Sequence, residues 1–133
     1  MKNMKPLVYQ ALNNDAVLIL LLGGVKVSGS VTYNRIYQLM APNAQEFPRI
    51  VFWEMDNVGG TYADDVEQNS EITIQIDIYT VNQSTSDIAV EVDSVMKSLG
   101  FFRIASTDQY DNDNETKINE KHMRYAIFTE SGV

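Results

Sequence analysis

The stretch Ser70 to Thr80, SEITIQIDIYT, constrains this chain more than any other part of it. Ile72, Ile74, Ile76 and Ile78 alternate with Thr73, Gln75, Asp77 and Tyr79. Side chains on a strand project to opposite faces with a period of two, so one face is all isoleucine and the other is polar. The isoleucine face must pack against an apolar layer. The polar face meets either water or a neighbouring protein, and the stretch itself does not decide which. Asp77 is expected to lie in water or beside loops, because desolvating an unpaired carboxylate is costly.

The apolar layer has an evident source. Ile88, Ala89, Val92, Val95, Met96 and Leu99 form a stripe at helical spacing, with Ser84 to Asp87 offering caps before it and Gly100 stopping it. Two short helices are expected upstream. The first follows Pro6 and carries Leu7, Val8, Ala11 and Leu12. The second is capped by Asn14 or Asp15, runs through Leu22, ends at Gly23-Gly24 and is apolar almost all round, so deep packing is expected for it.

Val25 to Tyr33 alternates around Ser28-Gly29-Ser30 and reads as a small hairpin or arm. Pro42 and Pro48 bracket a loop, and Ile50 to Trp53 reads as a strand covered on both faces. Asn57 to Asn69, with a glycine pair and three acids, is expected to be a long mobile loop that orders on assembly. A terminal hairpin follows Gly100, its strands marked by Phe102 and Ile104 and by Met123, Tyr125 and Ile127, with a polar loop around DQYDNDNET between them. Helices, strands, one helix and strands again make an α+β domain. Its sheet has four to five strands, mainly antiparallel or mixed, with the helices on one face.

At 133 residues the chain fits one domain, spanning 1–133, and it contains no cysteine, so disulfides and thiolate metal sites are ruled out. Its 18 acids against 10 bases give a formal charge of -8, which disfavours stable binding to a phosphate backbone. The apolar run Ala16 to Leu22 is far short of the roughly 20 residues needed to span a bilayer. Asn13, Asn14 and Asp15 precede it, where a signal peptide would carry positive charge, so a soluble intracellular protein with no membrane partner is expected.

Catalytic and metal motifs are tested and set aside. His122 is the lone histidine and is expected on a solvent-facing strand position. Neither glycine pair is followed by the Lys-Ser/Thr of a phosphate loop, and Ser28-Gly29-Ser30 is not a nucleophile elbow. Asp111, Asp113 and Glu115 alternate as calcium ligands do, but Thr116 stands where the turn needs glycine and His122 where a bidentate glutamate belongs. Asp64 and Asp65 are adjacent and point apart on extended backbone. No cofactor, metal or catalytic activity is expected.

The layout resembles the tail-completion, or tail-terminator, proteins of long-tailed bacteriophages. The similar phrases are LILLLGG after the tandem helices, RIYQLMAPNAQEFPRIVFWEM with its Phe-Pro leading into a strand, and ITIQIDIYTVNQSTSDIAVEVDSVMKSL. The resemblance covers Lys5 to Phe128, and Val25 to Asn34 is longer than the usual connection. It implies a structural virion protein at the head-proximal end of the tail, assembled in the host bacterial cytoplasm. Six copies form a ring that caps the tail tube, stops its growth and docks the head connector. DNA passes through the hole without binding stably, and an acidic wall suits that passage. Thr73, Gln75, Asp77 and Tyr79, with Asp64, Asp65 and Glu67 of the acidic loop, are the candidate subunit or partner contacts. A head-side neck or connector component, a small α+β ligand-binding domain with an apolar pocket, and an enzyme stand as the alternatives.

Overall fold

In the computed structural model, residues 3–23, 25–27, 30–33, 35–41, 47–63, 66–113 and 116–130 are described. The isoleucine row lies on β5 (Val66–Val81), in the middle of a five-stranded mixed sheet. The other strands are β3 (Ile36–Gln38), β4 (Arg49–Ala63), β6 (Phe102–Asp113) and β7 (Thr116–Glu130). Their order is β3-β4-β5-β7-β6. The β3–β4 pair is parallel and the other three pairs are antiparallel. Two more strands, β1 (Val25–Val27) and β2 (Ser30–Tyr33), form the expected small hairpin as a separate sheet. Ser28, Gly29 and Asn34 of the long connection fall outside the described residues.

Register fixes which residues share a face. Ile72, Ile74 and Ile76 pair with Ile127, Tyr125 and Met123 of β7, while Ile76 and Ile78 pair with Phe52 and Ile50 of β4. Ile50, Phe52, the four isoleucines, Met123 and Tyr125 are all buried. Burying a side chain of this size stabilises by roughly 2 kcal/mol, so the row is a large part of the driving force. Against it lie α1 (Lys5–Asn14), α2 (Ala16–Leu21) and α3 (Ser86–Ser98). Val8 and Leu12, Leu18 and Ile19, and Ile88, Ala89, Val92, Val95 and Met96 are the buried contributions of the three helices.

The helix signals work largely as their chemistry requires. Pro6 sits in the first turn of α1, where its missing N–H costs nothing. The Asp15 carboxylate accepts from the Leu18 backbone N–H at 2.8 Å and caps α2. At α3 the capping position is Thr85, whose side chain makes no capping bond; Ser84 Oγ instead accepts from the Ser86 N–H at 3.1 Å. Gly100 follows α3 at φ 97°, and a Cβ there would stand 3.3 Å from Ile127 Cδ1. Both the backbone angle and the space call for glycine. One bond ties sheet to helix: the Tyr125 hydroxyl donates to Asp93 Oδ1 at 2.7 Å. Arg103 of β6 and Lys97 of α3 pair with the same carboxylate.

Three expectations need correction. The described residues of Asn57 to Asn69, expected as a long hairpin loop, are strand. Residues 57–63 continue β4 and 66–69 begin β5, paired from Asn57–Ile72 to Ala63–Val66. The polar DQYDNDNET segment likewise belongs to paired strand up to Asp113, opposite Thr116. In both cases the antiparallel ladder satisfies the backbone whatever the side chains, so polar composition did not decide the local structure. Helix α2 is not deeply packed all round: Leu20 is 75% exposed and Val17 is exposed too. A helix of this length turns one side to the sheet and leaves the other outside. Among the described residues no helix is long and apolar enough to cross a membrane.

Candidate assembly face

Among the described residues no helix covers the second face of the sheet, and its residues follow from the same register. Glu71, Thr73, Gln75, Asp77 and Tyr79 line β5. Arg49, Val51 and Trp53 flank them on β4, and Glu120, His122, Arg124, Ala126 and Phe128 on β7. Phe102, Ala105, Thr107 and Gln109 of β6 extend the same face, opposite Ala126, Arg124, His122 and Glu120.

Asp77 is the surprise of this face. It is 2% exposed, against the expectation that it would lie in water. Its strand neighbours in register are Val51, itself buried, and His122. Burial is tolerated because the carboxylate is fully engaged. His122 Nδ1 lies 2.6 Å from Asp77 Oδ1, Gln75 Nε2 donates to the same oxygen at 2.9 Å, and the Tyr79 hydroxyl donates to Oδ2 at 3.4 Å. A buried carboxylate satisfied in this way escapes most of the penalty of an orphaned charge.

His122 is therefore not a simply solvated strand residue. Its ring is held between Asp77 and Glu120, whose Oε1 is 3.5 Å from Nε2, and it packs edge-on to Tyr79 at 6.3 Å. The Arg49 guanidinium lies 4.3 Å from the centre of the Tyr79 ring and 4.6 Å from that of Phe47. Burial pushes the Tyr79 phenol up to about 12, and the Asp77 and Glu120 charges add to the shift. Arg124 Nη2 donates to Gln75 Oε1 at 3.3 Å and joins the polar row to β7.

The predicted contact residues thus divide. Thr73, Gln75 and Tyr79 are half-buried on the open face, whereas Asp77 is internal to it. The Glu67 backbone pairs with Tyr62 in the β4–β5 ladder. Asp64 and Asp65 lie outside the described residues. The face also holds a feature that sequence reasoning missed. Phe102 and Phe128 stack with ring centres 6.0 Å apart, both exposed to solvent. Both residues stand in the two terminal strands read from the sequence, but their adjacency depends on the β6–β7 register.

The His122 Nε2 atom is shut off from solvent, so the Asp77–His122 pair has no reach to a proton on a bound substrate. Among the described residues no three histidine, cysteine, aspartate or glutamate side chains converge as a metal site would require. What the face offers is a broad, polar, partly aromatic surface held rigid from within.

No family model matches the chain, and no curated protein does. Solved structures do: a chain of the structure described as the virion of native gene transfer agent (GTA) particle superposes with a TM-score of 0.59 at 13% sequence identity. The superposition covers 93% of this chain and 92% of that one. At that identity the two chains share a fold, an α+β sheet layered with helices, across nearly their whole lengths.

Proposed function

We propose that this chain is a structural virion protein that caps the head-proximal end of a phage tail tube as a ring and forms the joint to the head connector. The observation that carries this reading is the near full-length fold likeness to a chain of a virion particle. The layout between Lys5 and Phe128, which resembles that of tail-completion proteins, adds to it. Residues 1–133 act as one folding unit in this reading, with no catalysis and no cofactor. The ring holds six copies, assembles in the host bacterial cytoplasm and ends up in the virion. DNA crosses its hole without binding stably, consistent with the charge of -8. Thr73, Gln75 and Tyr79 contribute to the contact surface, and Asp77 supports it from beneath.

The test is negative-stain microscopy of tail tubes grown with and without the purified protein. Tubes grown with it should carry a ring-shaped density at one end and stop lengthening on further addition of tube protein. Tubes that keep growing and carry no density, with the protein found on isolated portal assemblies instead, would move it to the head side of the neck.

A further inference from the structure

The β1–β2 hairpin has no part in the function proposed above. Val25–Val27 and Ser30–Tyr33 pair with each other and join no other sheet among the described residues. A two-stranded hairpin alone is at best marginally stable in water, and a further strand stabilises it. Its root is fixed on both sides. Gly23 ends α2 at φ 79°, with its N–H bonded to the Leu20 carbonyl at 3.1 Å. Arg35 Nη1 donates to the Leu22 carbonyl at 3.3 Å and also to the Phe47 carbonyl. Ile36 then opens β3.

The sheet is open at its opposite end. β6 is the last strand in the order β3-β4-β5-β7-β6, and no strand of the described residues pairs with its outer edge. It contains no proline, which would block pairing, and Phe102, Ile104 and Tyr110 are exposed along it. An open edge of this length is a template for another strand.

We propose that the β1–β2 hairpin of one copy of this chain lies along the outer edge of β6 in the next copy and extends the neighbour's sheet. Composition favours strand pairing: Val25, Val27, Val31 and Tyr33 are β-branched or aromatic. Charge is complementary. Between Asp15 and Glu46 the chain has no acid, and Lys26 and Arg35 are its only formal charges, in a protein of net charge -8. β6 is the reverse, with Asp108, Asp111 and Asp113 and no base from Ile104 onward. Lys121 pairs with Asp108 at 3.0 Å, whereas Asp111 has no ion pair among the described residues. Two acidic subunits repel over most of their surfaces, and an acid-free arm on an acidic edge is a contact at which opposite charges meet.

Reach makes the contact intermolecular. The arm is rooted beside β3, and β6 lies four strand spacings away, roughly 19 Å. Strands as short as β1 and β2 extend only roughly 13 Å from their root, so the arm falls short of its own β6. Donor and acceptor lie at opposite ends of the sheet, so each copy gives an arm and receives one. Such a contact is heterologous and generates a ring when it closes. The exchange stands on the arm and the edge; its closure as a tail cap rests on the reading proposed above.

The absence of cysteine allows a directed test. Ser30→Cys and Thr32→Cys each place a thiol on the arm. Thr107→Cys, Gln109→Cys and Asp111→Cys each place one on β6, at positions paired with His122, Glu120 and Ile118. Each arm variant is mixed with each edge variant, the edge variant carrying a size tag, and the purified full chains are oxidised at high concentration. Variants that melt close to the parent are folded and enter the comparison. At least one mixture should give the arm-to-edge heterodimer several-fold above its random proportion. Random proportions in every mixture would overturn the proposal. So would edge cysteines that link only to added tail-tube protein, which would give β6 to a different partner. A selective heterodimer from protein that fails to cap tubes removes the tail role and leaves the arm exchange standing; capping with only random cross-links does the reverse.

Discussion

Asp77 shows how a single residue can be read correctly in cost and wrongly in place. The penalty for burying a carboxylate is legible in any sequence, and it argued for solvent. The partner that removes the penalty, His122, is 45 residues away and becomes adjacent only through the β5–β7 register. The structure therefore reverses one consequence. Asp77→Lys, which a solvated position would tolerate, should abolish folding, because a cation would sit buried among Val51, Gln75 and His122. Asp77→Ala leaves the ring nitrogen and the Gln75 amide without their acceptor and should cost about 1–3 kcal/mol. Asp77→Asn, which keeps an acceptor, should cost less. Urea midpoints of the three variants check the order, and an alanine variant as stable as the parent would show that the network contributes nothing.

At the scale of elements, α3 was the most legible part of the chain, because its stripe, its stop signal and its length all agree. Its attachment to the sheet was not legible. Tyr125 reads as one more apolar alternation, yet its hydroxyl is anchored on Asp93. Partial burial pushes the Asp93 carboxyl up, but hydrogen bonds from Lys97 and Tyr125 and the charges of Arg103 and Lys97 outweigh it and hold the group below the usual carboxylate value. A carboxyl depressed in the folded state binds its proton later than in the unfolded chain. Its stabilisation is complete above the unfolded value of about 4 and is lost as pH falls through the folded one. Thermal stability should therefore decline on acidification below about pH 4. Asp93→Asn, which still accepts from Tyr125, should flatten that part of the profile and lower the plateau at neutral pH. An unchanged acid limb would mean that other carboxylates dominate it. The elements misread from sequence were those whose composition is polar on both faces. Hydrophobic periodicity carries no signal where the sequence has no alternating apolar row, as in Asn57–Ala63, although a long antiparallel ladder still forms there.

For the whole molecule, the decisive property is that helices occupy one side of the sheet and leave the other as a continuous face. The sequence pointed to this face through one row, Thr73 to Tyr79, and proposed it as a contact surface. The structure widens the row: Phe128 is 64% exposed and stacks on Phe102, so the most apolar part of the face belongs to β6 and β7. Exposed stacked aromatics contribute little to the fold of a free subunit, because each ring already keeps one side in water. In an interface they supply large contact area at low entropic cost. Replacing both by serine should therefore separate the two roles. The melting temperature of Phe102→Ser/Phe128→Ser should stay within about 5 °C of the parent, the shift expected for a loss near 1 kcal/mol in a domain of this size. Capping of tail tubes should fall to background under the same conditions. If the double variant caps tubes as well as the parent does, the aromatic end of the open face faces only water, and the contact surface must be confined to the strand edges or to the helix side.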